Sequence, residues 1–177
     1  MKYVALLRGV NVGGKSIIKM ADLKEAVEKC GLINVRTYIQ SGNVIFESDE
    51  EGAGKIAAKL EDSLLRAFNF EIRVIVMNRA QFTDILAEVP ADWKMRQDLR
   101  CYLAFIREPV TVQDVIQEIK LTAGVDSVKA GKGVLYLSTL LSGLTKSGFS
   151  KLITTKVYKD ITIRNYRTAQ NLLELMQ

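Results

Sequence analysis

Two short runs hold the side chains best suited to chemistry: Arg8-Gly9-Val10-Asn11-Val12-Gly13-Gly14-Lys15 and Gln40-Ser41-Gly42-Asn43. Together they offer two cations (Arg8, Lys15), three amides (Asn11, Gln40, Asn43) and a hydroxyl (Ser41), with no carboxylate. Guanidinium, ammonium and amide donors suit a phosphate or carboxylate, whereas a hard metal ion needs oxygen anions that these runs lack. Gly13 and Gly14 add backbone N–H groups that a ligand can approach closely. The plainer alternative stands beside this one: Ser-Gly-Asn and Gly-Gly are turn sequences, and Arg8 could serve a nearby carboxylate. Gly9-x-x-x-x-Gly14-Lys15-Ser16 also fits the spacing of a nucleotide phosphate loop. That loop belongs to a parallel sheet with a second strand ending in Asp, and neither is expected here.

Composition removes much other chemistry. The 177 residues contain no histidine, so imidazole metal sites, Ser–His and Cys–His pairs and a histidine general base are all excluded. Ser41 as a nucleophile would need a lysine or carboxylate base, with Lys15 the nearest in view. The two cysteines, Cys30 and Cys101, form no paired motif and read as reduced core thiols in a cytoplasmic protein. A hydrophobic fraction of 48% supports a sizeable core, and the net charge of +5 is mildly basic. No apolar run is long enough to span a bilayer, and no membrane association or cofactor is expected.

The elements that must position these runs follow from periodicity. Residues 2–8 are apolar on both faces, as in a central strand. Met20, Leu23, Val27 and Cys30 have helical spacing, closed by Gly31. Strands over 35–40 and 43–47 flank a two-residue turn at Ser41-Gly42, a helix follows along Ile56, Leu60, Leu64 and Phe68, and 71–77 is a fourth strand. Strand, helix, strand, strand, helix, strand is the ferredoxin-like order. Asn78 and Gln81 cap a further helix, and Thr111 with Asp114 caps another. Strands over 99–106, 125–130, 134–138 and 161–163, a helix over 150–158 and a closing helix over 169–176 repeat the order. The reading is therefore α+β: a tandem pair of ferredoxin-like subdomains, 1–78 and 99–177, with antiparallel sheets, a connection over 79–98 and a helix at the C-terminus. In such a sheet, of strand order 4-1-3-2, the end of the first strand and the hairpin after the second share one edge. That edge brings Arg8, Asn11, Lys15, Gln40, Ser41 and Asn43 together.

The runs Leu6-Leu7-Arg8-Gly9-Val10-Asn11-Val12-Gly13-Gly14 and Thr37-Tyr38-Ile39-Gln40-Ser41-Gly42-Asn43-Val44-Ile45-Phe46 resemble the uncharacterised bacterial family called domain of unknown function 1697. Met20, Ser150-Lys151-Leu152 and Thr162-Ile163-Arg164-Asn165-Tyr166-Arg167-Thr168 extend the resemblance, with Tyr166 where the family usually has Trp. The resemblance implies two related α+β subdomains and no activity.

Other candidates are weaker. Lys151, Arg164 and Arg167 belong to a basic stretch read either as a second anion patch or as a solvated cationic face. Lys129 to Gly133 is the second-half counterpart of the Ser-Gly-Asn hairpin. Trp93 is read as an anchor in the connection. Base stacking on the sheet would rest on Tyr3 and Phe46 alone, so nucleic acid is not favoured. The leading expectation is a phosphate-bearing small molecule or nucleotide bound by Arg8, Asn11, Gly13, Gly14, Lys15, Gln40, Ser41 and Asn43. The alternatives are a transferase- or hydrolase-type enzyme using the same edge and a protein-interaction module without a ligand.

Overall fold

A computed structural model of the chain describes residues 1–14 and 16–177. The chain divides into two units, residues 1–83 with 171–177, and residues 84–170. The divisions fall inside helices, so the last seven residues group with the first unit, whereas the sequence division leaves the whole closing helix with the second half.

The first unit contains β1 (Lys2–Leu7), α1 (Met20–Glu28), β2 (Ile33–Tyr38), β3 (Asn43–Glu47), α2 (Ala53–Phe68) and β4 (Val74–Asn78), and the start of α3 (Arg79–Ala87). Its sheet has the order β2-β3-β1-β4 with every pair antiparallel, as the ferredoxin-like reading requires. Tyr3, Ala5 and Leu7 pack with Leu23 and Val27 of α1 and with Ile56, Leu60 and Leu64 of α2. The last three recur every four residues, which puts them on one helical face. Val4 and Leu6 alternate to the opposite face and are also buried, so β1 is apolar on both sides. Two helix ends close as their residues dictate. Asn69 ends α2 in the left-handed region, and Asn78 and Gln81 exchange bonds of 2.8 and 3.0 Å to open α3.

The hairpin differs from the two-residue turn predicted. Tyr38 pairs with Asn43, and residues 39–42 form the loop. The Leu7 N–H donates to Gly42 O at 2.8 Å, binding Gly42 to the chain leaving β1.

The second unit repeats the topology with β5 (Leu99–Ile106), α4 (Val112–Glu118), β6 (Asp126–Gly131), β7 (Val134–Leu140) and β8 (Ile161–Asn165) in the order β6-β7-β5-β8. A short 3-10 turn at Ala91–Lys94 precedes it, and α5 (Tyr166–Leu175) follows. The Thr111/Asp114 capping box opens α4 with both reciprocal bonds present. Trp93 is buried against Tyr136 and Tyr166, edge-on at 6.1 and 5.3 Å, so a ring at position 166 completes an aromatic cluster.

Where the sequence predicts a helix over 150–158, the second unit has 3-10 turns at Leu141–Lys146, Gly148–Thr154 and Lys156–Asp160. Hydroxyls divert the carbonyls an α-helix would use: Ser150 donates to Ser147 O, Thr154 to Lys151 O and Thr155 to Leu152 O. Asp126 then ties the segment to the sheet. Its carboxylate accepts from Ser147 Oγ (2.7 Å), the Gly148 N–H (2.8 Å), Thr139 Oγ1 (2.9 Å) and the Thr122 N–H (2.9 Å). Burial alone would raise the pKa of this carboxyl, but the bonds from Thr122, Ser147, Gly148 and Thr139 outweigh it and leave the group below the ordinary Asp value.

Two outcomes follow. A Cβ at Gly148 would lie 1.7 Å from Lys120 O, a backbone atom that cannot swing away. Gly148→Ala should lower the unfolding free energy by about 1–3 kcal/mol or more in urea titration. The folded Asp126 carboxyl releases its proton more readily than the unfolded one, so its contribution is full above the unfolded value of about 4 and is lost as pH falls through the folded pKa. Urea midpoints measured from pH 7 to pH 3 should fall less steeply for Asp126→Asn than for the native chain.

Candidate anion-accepting edge

The chain leaving β1 is held on both sides, by Leu7 N–H to Gly42 O and by Arg8 N–H to Arg73 O at 2.9 Å. It then forms a small loop anchored by two core residues, Val10 and Ile18. The Asn11 N–H donates to Ser16 O at 3.1 Å, and Gly13 and Gly14, between them, have φ of +61° and +73°. Glycine supplies positive φ at consecutive positions without strain. No atom lies within 4 Å of where a Cβ would stand at either glycine, so both face open space.

The side chain of Asn11 does most of the positioning. Its Nδ2 donates to Ile18 O at 3.0 Å and to Gln40 O at 2.9 Å, and its Oδ1 accepts from the Ile18 N–H at 2.7 Å. The second of these bonds crosses 29 residues and joins the loop to the β2–β3 hairpin. Gly42 lets the two backbones meet: a Cβ there would stand 2.8 Å from Leu7 Cβ and 3.4 Å from Val10 Cβ. Asn43 is fully buried and donates to Tyr38 O at 3.1 Å and to Ser41 Oγ at 2.9 Å.

The expected juxtaposition is therefore present, but the residues sort into two kinds. Asn11 and Asn43 spend their amide donors on the loops themselves and shape the edge rather than offering donors from it. Gln40, Gly13 and Gly14 are exposed, and Arg8 and Ser41 are partly so. Lys15 lies outside the described residues, and with it the pairing of Ser41 with a lysine base. The Asn43 amide beside Ser41 Oγ cannot take a proton from it.

The second basic patch does not assemble as one surface. Lys151 and Arg167 are exposed, but Arg164 is only 8% exposed on β8, where its Nη1 donates to Ile163 O and burial lowers its pKa to about 10. In the counterpart hairpin, Lys129 donates to Glu88 O at 2.6 Å and lies over the Tyr136 ring. Trp93 lines a groove of about 280 Å³ in the second unit with Arg96, Tyr136 and Ser138. Two of its polar groups are engaged internally: Arg96 holds Asp98 through two bonds, and Tyr136 donates to Ile85 O. Tyr3 and Phe46 are buried and stacked on each other at 5.7 Å, out of reach of a nucleic-acid base.

Sequence reasoning passed over three apolar side chains on these loops: Val12, Ile17 and Ile39 are 65%, 75% and 49% exposed. Ile39 also has φ +48°, a left-handed conformation that a β-branched residue adopts only under strain. The available signal was a set of β-branched residues beside glycines with no periodic partner across a strand.

The chain belongs to the protein family of unknown function DUF1697, whose pattern residues 1–136 match. A solved structure similar to it is that of the conserved bacterial protein SP0830 from Streptococcus pneumoniae. That protein shares 28% identity, with a TM-score of 0.87 over 99% of this chain and 98% of that one. No curated protein matches.

If Asn11 is the tie, Asn11→Ala leaves the Ile18 N–H and two carbonyls without their partner. Unfolding free energy in urea should drop by about 1–3 kcal/mol, more than for an exposed loop substitution.

Proposed function

We propose that the protein is a binding module without catalytic chemistry of its own, and that the edge between residues 8–17 and 39–42 takes a phosphate-bearing small molecule or nucleotide. The observation that carries this is the bond from Asn11 Nδ2 to Gln40 O, which holds two loops devoid of carboxylates side by side. Arg8 and Lys15 supply positive charge, Gly13 and Gly14 a backbone open to close approach, and Gln40 and Ser41 neutral polar contacts. Asn11 and Asn43 act by positioning. A cytoplasmic setting accords with Cys30 and Cys101 being buried free thiols, Cys101 with its pKa pushed up to about 11 by burial.

Gln40→Glu tests the proposal with little change of shape, because the side chain is exposed and only its charge is altered. The native chain should be stabilised against heat by phosphate esters and nucleotides, and Gln40→Glu should lose that shift while its ligand-free stability stays within about 0.5 kcal/mol. A native chain unmoved by the whole panel, or a variant that responds equally, overturns the proposal.

A further inference from the structure

We infer that the phosphate taken at this edge is carried by a lipid, and that the tip of the first unit docks on an anionic phospholipid surface; the inference rests on the anion-accepting reading above. Val12 and Ile17 flank the Gly13–Gly14 turn, and Ile39 precedes Gln40, so all three sit on loops that Asn11 binds together. Neighbouring Val10 and Ile18 turn into the core while Val12 and Ile17 turn out, so this exposure does not come from a loose loop.

Ile39 carries the point further. Asn or Gly would occupy its left-handed backbone with less strain, yet the position holds a large aliphatic group and leaves it half in water. A partner that buries the side chain accounts for it.

Charge narrows the partner. Residues 8–20 and 33–46 contain Arg8, Lys15, Lys19 and Arg36 and no acidic residue. The occupant must therefore offer negative charge and an apolar layer together. Nucleic acid offers no aliphatic layer at its phosphates. A protein interface of ordinary size engages about 20–30 residues on each side and favours aromatic anchors, and this tip has about a dozen residues and only aliphatic ones. The head-group region of an anionic bilayer presents phosphate above acyl chains and accepts a small tip at shallow depth. No helix of the described residues is long and apolar enough to cross a membrane, and none is needed for such contact. A single tip of this kind gives weak, reversible attachment.

The test is co-sedimentation of the full chain with vesicles of phosphatidylcholine alone and of equal parts phosphatidylcholine and phosphatidylglycerol, alongside thermal shift with soluble glycerol 3-phosphate. The native chain should bind the anionic vesicles, less as salt rises, and ignore the neutral ones. Ile17→Ser should weaken vesicle binding about tenfold. Ile39→Asn should weaken it comparably while unfolding at the same or a higher temperature, which separates loss of contact from loss of fold. A native chain that ignores anionic vesicles, or variants that bind them as well as the native chain, overturns the inference. If glycerol 3-phosphate still stabilises the native chain, that failure concerns the lipid alone and the anion edge stands. If neither it nor any phosphate ester or nucleotide of the panel above does so, both fall.

Discussion

The edge of the first unit depends on how many hydrogen bonds one primary amide can make at once. Asn11 carries two donors and an acceptor on a short stem, and all three are used on backbone groups from two separate loops. Its own φ of +56° is one that Asn tolerates better than most residues. Asp would lose both donors, and Gln would place the same groups one carbon further out on a residue less at ease in that conformation. The left-handed positions at Gly9, Gly13 and Gly14 and the close approach at Gly42 are the conditions under which that side chain can reach its partners.

The two units solve one topology in different ways. In the first, the crossover between the third and fourth strands is the sixteen-residue helix α2, and a repeating apolar face attaches it to the sheet. In the second, the equivalent crossover is a string of 3-10 turns. Phe149 and Leu152 give it some apolar purchase, but its placement is fixed by the two hydrogen bonds that Ser147 and Gly148 make to Asp126, whose carboxylate Thr122 and Thr139 hold from outside the crossover. A carboxylate with all its bonds satisfied specifies one arrangement where a short irregular segment offers little periodic apolar surface.

What could be read from the residues was what local rules govern. The continuous apolar runs of β1 and β5 and the caps at Asn78/Gln81 and Thr111/Asp114 depend on neighbours a few positions away, and they led to the right topology. The juxtaposition of Arg8 to Gly14 with Gln40 to Asn43 followed from that topology. Whether an amide at this edge is spent or available depends on a partner tens of residues distant, so Asn11 and Asn43 looked like ligand groups when they are ties. Arg164 was counted in a cationic run, yet strand register sets it opposite Leu103 in a buried position. The helix expected over 150–158 is replaced by 3-10 turns, in which serine and threonine hydroxyls take up backbone carbonyls.

Residues 171–177 touch parts of the chain made long before them: Asn171 Nδ2 donates to Tyr38 OH at 2.6 Å, and Lys2 Nζ donates to Gln177 O. Residues 171–177 belong with the first unit although residues 84–170 must be translated before them. As the polypeptide emerges from the ribosome, the first unit therefore lacks the partners of Tyr38 and Lys2 until residues 171–177 have followed.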